Sequence, residues 1–180
     1  MFMDIGVISV RYARALLKNA IEEKLEDKVY NDMQTLAVSY IKVPELRFTI
    51  DNPMLSRGAK ENLLLSAVGS SATPVTRSFI GVVLDNGREG MLQFIANSYI
   101  TLYRKQKNII RGKLTTATAV KPETEYKMRQ MVESKTNGAV EFETEVNPDI
   151  IGGFILEYDT YRMDASIKNK LKTILTALSK

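Results

Sequence analysis

Hydrophobic spacing along this chain first changes near residue 107, and that change limits what the polypeptide can fold into. Up to Lys107 apolar residues recur every three or four positions, as in amphipathic helices; beyond it come stretches in which they alternate with polar ones, as in strands, set between helical segments. A first helix is predicted over 5–22, with Val10, Ala13, Leu17, Ala20 and Ile21 on one face. Ile8, Tyr12, Ala15 and Leu16 add a second apolar sector beside it. A helix burying one stripe in its own bundle needs about 100° of apolar arc, and this one has more. It is either a central helix covered on most sides or one wall of a partner groove lined by Tyr12 and Ala15.

The helical part continues with a helix over 26–41, whose inner face carries Val29, Met33, Leu36, Ala37 and Tyr40. Pro44 starts a short third helix, since proline suits a first turn, and Asp51-Asn52-Pro53 breaks it. Ser56 caps a fourth helix to about Val68, with Ala59, Leu63, Leu64 and Ala67 inward. After a loop over 69–73, Thr73 and Pro74 open a fifth helix, closed by Asp85-Asn86-Gly87 with Gly87 as left-handed cap. Its Val75, Phe79, Ile80, Val82, Val83 and Leu84 leave almost no polar face in the last two turns. A sixth helix over 91–105 carries Leu92, Ile95, Tyr99, Leu102 and Tyr103. Short helices with short loops make a bundle of antiparallel neighbours. Excess apolar surface on the first and fifth is what a groove for an external helix looks like.

Past the switch, Ile110, Gly112, Leu114 and Thr116 alternate with Arg111, Lys113 and Thr115 in a predicted strand. Pro122 starts a helix to about Thr136, and Asn137-Gly138 turns the chain. Val140, Phe142, Thr144 and Val146 then alternate with Glu141, Glu143 and Glu145. That acidic row is read as the solvated face of a strand, pairing with Arg111 and Lys113. A calcium site needs loops that converge several oxygens on one point, and a strand spreads them.

Asn147-Pro148-Asp149-Ile150-Ile151-Gly152-Gly153 leads into a strand, Phe154 to Tyr158. A phosphate-cradling loop precedes a helix, and this one precedes a strand, so the glycines are read as a bulge or close backbone approach. Asp159-Thr160 is a tight turn into Tyr161–Ser166. A last helix over 165–178, capped by Asp164 or Ser166, has Ile167, Leu171, Ile174, Leu175 and Leu178 on one side and Lys168, Lys170 and Lys172 elsewhere. It is expected to lie on the small sheet.

The residue types that are missing exclude more than those present suggest. There is no cysteine, histidine or tryptophan in the 180 residues, so thiol chemistry, disulfides and the commonest general base and metal ligand are absent. No catalytic residue, cofactor or metal is expected. No leader peptide and no apolar run able to span a bilayer is evident, so no direct membrane insertion is expected. Net charge is +4, and splitting the chain near residue 105 leaves +2 in each part, which argues against a basic nucleic-acid arm. The run Arg104–Lys113 is basic without an acid, but cations near a helix C-terminus are favoured by its exposed carbonyls.

Two motifs carry a resemblance. Ile151-Gly152-Gly153-Phe154, followed by a hairpin, Asp164-Ala165-Ser166 and a basic last helix, resembles the delta subunit of F-type ATP synthases, whose mitochondrial relative is the oligomycin-sensitivity-conferring protein. Arg11-Tyr12-Ala13-Arg14-Ala15-Leu16 is similar to that family's N-terminal helix, which usually reads Arg-Pro-Tyr-Ala-Lys-Ala-Leu; here the proline is missing. The resemblance covers essentially the whole chain. It implies a non-catalytic stator subunit whose first and fifth helices receive the N-terminal helix of an alpha subunit. The C-terminal part would then contact the b subunits of the peripheral stalk, at the cytoplasmic face of a bacterial inner membrane. The protein-binding residues it implies are Ile8, Tyr12, Ala15, Leu16, Val75, Phe79, Val82 and Val83.

The expected fold is α+β and mainly helical. A six-helix bundle over 1–107 docks on the catalytic head, and a smaller part over 108–180, with about three strands and two helices, contacts the stalk. The alternative is a basic helical nucleic-acid-binding protein, suggested by a sequence pI of about 9.2 and the 104–113 run.

Overall fold

The computed structural model describes residues 2–69, 71–136, 138–158 and 160–178. Contacts divide the chain into two compact units, Met1–Lys105 and Gln106–Lys180, and each is described by itself.

The first unit is helical: α1 (Phe2–Glu22), α2 (Glu26–Lys42), α3 (Glu45–Asp51), α4 (Arg57–Val68), α5 (Pro74–Asp85), a 3-10 turn (Glu89–Met91) and α6 (Leu92–Lys107). The boundaries follow local chemistry. Ser56 Oγ accepts from the Ala59 N–H at 3.3 Å and Thr73 Oγ1 from the Thr76 N–H at 3.1 Å, satisfying amides at the starts of α4 and α5. Gly87, at φ +60°, takes the left-handed position past α5, and its N–H and that of Arg88 bond back to Leu84 and Val83 carbonyls. The sixth helix starts at Leu92 behind the 3-10 turn and runs two residues beyond the expected Lys105.

All five residues expected on the inner face of α2 are buried, together with Leu16, Ile50, Leu64, Ile80, Leu92, Ile95 and Tyr99. Each fully buried aliphatic side chain contributes about 1.5–3 kcal/mol. On α4 the expected stripe is rotated: Ala59 is exposed, Leu63 and Ala67 are half-buried, and Lys60 is buried instead. Lys60 reaches Glu89 at 2.7 Å. Burial pushes the Glu89 carboxyl up, but its hydrogen bond to Lys60, a backbone bond and the Lys60 charge outweigh this and hold it below the usual carboxylate range.

Aromatic stacking joins α2 to α6. Tyr30 and Tyr103 rings lie 4.2 Å apart at 19°, and Tyr103 stacks on Tyr99 at 6.3 Å. Tyr103 OH donates to Asp27 at 2.6 Å and Tyr99 OH to the Glu26 carbonyl at 3.1 Å. Buried hydroxyls need such partners; burial raises both phenol pKa values, followed for Tyr103 by its hydrogen bond to Asp27 and for Tyr99 by the neighbouring Tyr103 and acidic charges.

The second unit is a four-stranded sheet in the order β2-β1-β3-β4, from β1 (Ile109–Thr116), β2 (Ala139–Val146), β3 (Phe154–Tyr158) and β4 (Tyr161–Asp164). The fourth strand is the second arm of the hairpin, one more than the expected three. β1 and β2 run parallel, linked through α7 (Pro122–Thr136), the usual form of the long crossover that parallel pairing needs; β3 is antiparallel to β1 and to β4. The expected turn at Asn137-Gly138 and the one at Asp159-Thr160 each include a residue, Asn137 or Asp159, outside those described.

Alternation sorts the faces. Leu114, Val140 and Leu156 turn to one side and form a core with Val132 of α7. The opposite side carries Arg111 and Lys113, which pair with Glu143 at 3.0 Å and Glu145 at 2.8 Å, and Arg162, which pairs with Glu157 at 3.3 Å. Two glycines shape the rest. Gly112 faces Phe142 in the register, and a Cβ there would stand 2.5 Å from the ring. Gly153, at φ +76°, lets β3 enter beside the Ala165 carbonyl, so the glycine pair is a close backbone approach. The Gly152 carbonyl accepts from the Ile167 N–H at 2.9 Å, tying the start of α8 (Ile167–Leu178) to the strand entrance.

Gly153→Ala should therefore cost the second unit about 1–3 kcal/mol, through the positive φ and the lost clearance at Ala165. Amide exchange in β1 and β3 should accelerate while that of α2 and α6 is unchanged. Unaltered exchange in the sheet would show that the approach is not structural.

Candidate partner-binding groove

α1 and α5 lie side by side and leave an open groove of about 490 Å³ between them. On α1 the positions fall in two rows four residues apart: Arg11, Ala15 and Asn19 on the outer ridge, and Tyr12 and Leu16 toward the floor. α5 contributes Ser78 and Val82, with Phe79 between them. Tyr12 meets Phe79 edge-on, with ring centroids 6.3 Å apart, a favourable aromatic arrangement. The floor is apolar and no carboxylate lines the groove.

The eight expected contact residues divide. Tyr12, Ala15, Leu16, Phe79 and Val82 line the groove. Of these, Leu16 and Phe79 are mostly covered by their own bundle, while Tyr12 is half-buried, Ala15 exposed and Val82 51% exposed. Ile8 is half-buried and lies outside the lining. Val75 and Val83 are core residues, so the apolar excess of α5 is mostly absorbed by the bundle's interior. α1 is buried along one stripe, Ser9, Ala13, Leu16, Leu17 and Ala20, and is not covered on most sides. Arg11, Asn19 and Ser78 escaped the sequence reading, which followed apolar residues; stepping four positions either way from Ala15 finds the first two.

What holds the α5 wall in place is polar and buried. Asp32 of α2 is 7% exposed, and its Oδ2 accepts from the Thr73 N–H and Thr73 Oγ1 at 2.9 Å and from Thr76 Oγ1 at 2.7 Å. A carboxylate at a helix N-terminus meets unpaired amides and the positive end of the helix dipole. At the other end Asp85 pairs with Arg57 of α4 at 2.5 Å, and that hydrogen bond holds its carboxyl below the usual range.

In the second unit the last helix departs from expectation. No residue of α8 is buried; Ile167, Leu171, Ile174, Leu175 and Leu178 are all exposed, rising from 43% to 80%. The helix is anchored at its start, where Ser166 Oγ accepts from the Asn169 N–H at 3.1 Å and donates to Asp164 at 2.6 Å. Its apolar stripe does not lie on the sheet as a buried face. The basic run of the sequence is also partly neutralised, since Arg111 and Lys113 are engaged by β2 and the Arg104 guanidinium lies 5.6 Å from the Tyr30 ring centre.

Among the described residues no group of three or more acidic side chains could hold a metal ion, and no helix is long and apolar enough to cross a membrane. A family model described as "ATP synthase delta (OSCP) subunit" matches residues 8–178. The chain belongs to this family. It is 47% identical over 173 residues to the ATP synthase subunit delta of Phocaeicola vulgatus, covering 96% of this chain and 94% of that one. To the subunit delta of Bacteroides thetaiotaomicron it is 43% identical, with the same coverage of both chains. Among solved structures, a chain of the Toxoplasma gondii mitochondrial ATP synthase hexamer shares the fold. Its TM-score is 0.64 at 22% identity, over 96% of this chain and 97% of that one. The expected family and fold class are therefore borne out, and the comparisons give no support to a nucleic-acid-binding protein.

Because Asp32 fixes the start of α5, Asp32→Ala should cost the bundle about 2–4 kcal/mol, the loss of several hydrogen bonds to one charged, buried acceptor. A denaturant titration followed by circular dichroism reads it. A change below about 0.5 kcal/mol, the range of ordinary surface substitutions, would show that the pin is dispensable.

Proposed function

We propose that this subunit of an F-type ATP synthase is a stator component: its helical unit grips the catalytic head and its α+β unit grips the peripheral stalk. The head can then resist the torque of the rotor while protons flow through the membrane sector. It contributes binding and no chemistry, and it is peripheral to the cytoplasmic face of the bacterial inner membrane, held there through the complex. The observation that carries this reading is the open α1–α5 groove, with its apolar floor at Tyr12 and Phe79 and the small Ala15 on its wall. An amphipathic helix, the N-terminal helix of the alpha subunit, fills such a groove by laying its apolar face on it.

The stalk contact is assigned to the second unit, where the exposed stripe Leu171, Ile174 and Leu178 alternates with Lys168 and Lys172. Apolar side chains flanked by cations suit an acidic amphipathic partner, here the paired b subunits.

Calorimetric titration of the purified chain with a synthetic alpha-subunit N-terminal peptide from the same organism tests the head contact. One-to-one binding with a negative heat-capacity change is expected, the mark of apolar burial. Ala15→Asp should abolish that binding while helical content stays near normal, because Ala15 is exposed. Unfolding of the variant, or full binding by it, would contradict the groove assignment. For the stalk contact, Ile174→Asp in the full chain should weaken binding of a soluble b-subunit fragment by at least tenfold and leave peptide binding unchanged, about the 1.4 kcal/mol that one lost apolar contact supplies. Unchanged binding of the b fragment would remove α8 from the stalk contact.

A further inference from the structure

Arg11 is a cation on the groove's ridge with no ion pair, hydrogen bond or ring contact among the described residues. Several other cations of the bundle are engaged, and none of them lines the groove. Lys18 faces Glu22 at 3.9 Å, Arg57 pairs with Asp85 and Glu61, Lys60 with Glu89, and Arg104 lies against Tyr30. Arg14, one turn further along α1, is also without a partner among the described residues, but it lines only a second concavity, with Gly6, Val7, Val10 and Arg11 itself. Arg11 alone of the two borders the groove beside Tyr12 and Phe79.

Its position matters because the rest of the lining is neutral. The ridge runs from a guanidinium at Arg11, past a methyl at Ala15, to an amide at Asn19, and the α5 side offers Ser78 and Val82. A helix seated on the floor therefore meets charge at one end of the groove only. A guanidinium is weakly hydrated and presents its donors in a planar fork that matches a carboxylate. Next to an apolar surface that a bound helix would dry, its attraction for an acid, and its repulsion of a cation, exceed those in open water. Like-charge contact is also the cheapest way to reject a wrong register.

We propose that Arg11 is the specificity-determining residue of this groove: it pairs with an Asp or Glu on the flank of the bound amphipathic helix and so fixes that helix's register and direction. This rests on the groove being the site for the alpha-subunit N-terminal helix, and it adds the partner's chemistry. An occupant needs an acidic side chain beside its apolar face at the end lying over Arg11.

The test is titration of the full chain with the alpha-subunit N-terminal peptide at about 50 and 300 mM salt, either side of the range in which a surface charge pair is screened. Arg11→Ala should weaken binding about three- to fivefold at the lower salt, as for a rim ion pair, and the gap should close at the higher. Arg14→Ala, removing the same charge one turn away, should stay within about twofold. Each peptide carboxylate is then replaced in turn by Lys, and one replacement should restore binding to Arg11→Glu while weakening the unmodified chain. Circular dichroism controls for folding, which an exposed residue should not disturb. Equal losses for Arg11→Ala and Arg14→Ala would reduce the effect to diffuse attraction and overturn the proposal. So would the absence of any peptide position that couples to Arg11. If the unmodified chain does not bind the peptide at either salt, the groove reading itself fails; if it binds regardless of Arg11, only this proposal does.

Discussion

A carboxylate removed from water must be compensated, and the helical unit depends on how Asp32 is. Its oxygen takes donors from Thr73 and Thr76, two residues at the start of a helix 41 and 44 positions away. Thr73 thereby serves twice: its hydroxyl donates to Asp32 and accepts from the Thr76 amide. The N-terminus of α5 is thus fixed to α2, and the Arg57–Asp85 pair ties its other end to α4. With both ends held, α5 runs beside α1 at a spacing that leaves Tyr12 and Val82 accessible above a largely covered Phe79. Polar anchoring at both ends therefore fixes where the α5 wall of the groove stands.

The second unit balances its surfaces differently. One face of its sheet is closed by α7 over Leu114, Val140 and Leu156, and the other is a ladder of opposite charges. Each exposed pair contributes little to stability, but together they keep that face solvated and set the register against slippage. The helix that follows is then left with its apolar stripe outward. That exposed stripe is the surface the proposed stalk contact uses, and the Gly152–Ile167 bond connects the glycine pair with the helix it positions.

Much of this was legible in the sequence because the signals are local. Period, caps and breakers placed α2, α5, α7 and β1–β3 within a residue or two, and the alternation of Glu141, Glu143 and Glu145 against Arg111 and Lys113 identified a solvated sheet face. What escaped depends on contacts far apart along the chain. Lys60 occupies an interior position on α4 because Glu89 meets it there, which no helical periodicity reveals. Asp32 reads as one more polar residue on α2 until Thr73 is placed beside it. Val75 and Val83 look identical to Val82 in a run of apolar residues; three-dimensional packing decides that the first two are core and the third is wall. Arg11 was invisible to a search for apolar stripes. The last helix was assigned a sheet to lie on, since amphipathicity shows that a face wants covering and not what covers it.

The central claim is that one chain holds two partners at once through separate surfaces. It is tested most directly by sedimentation of the chain with a fluorescent alpha-subunit N-terminal peptide, with and without a soluble b-subunit fragment. A single complex containing all three, with peptide affinity the same in the presence and absence of the b fragment, is the expected result. Displacement of the peptide by the b fragment would contradict the account, because a stator cannot exchange one anchor for the other.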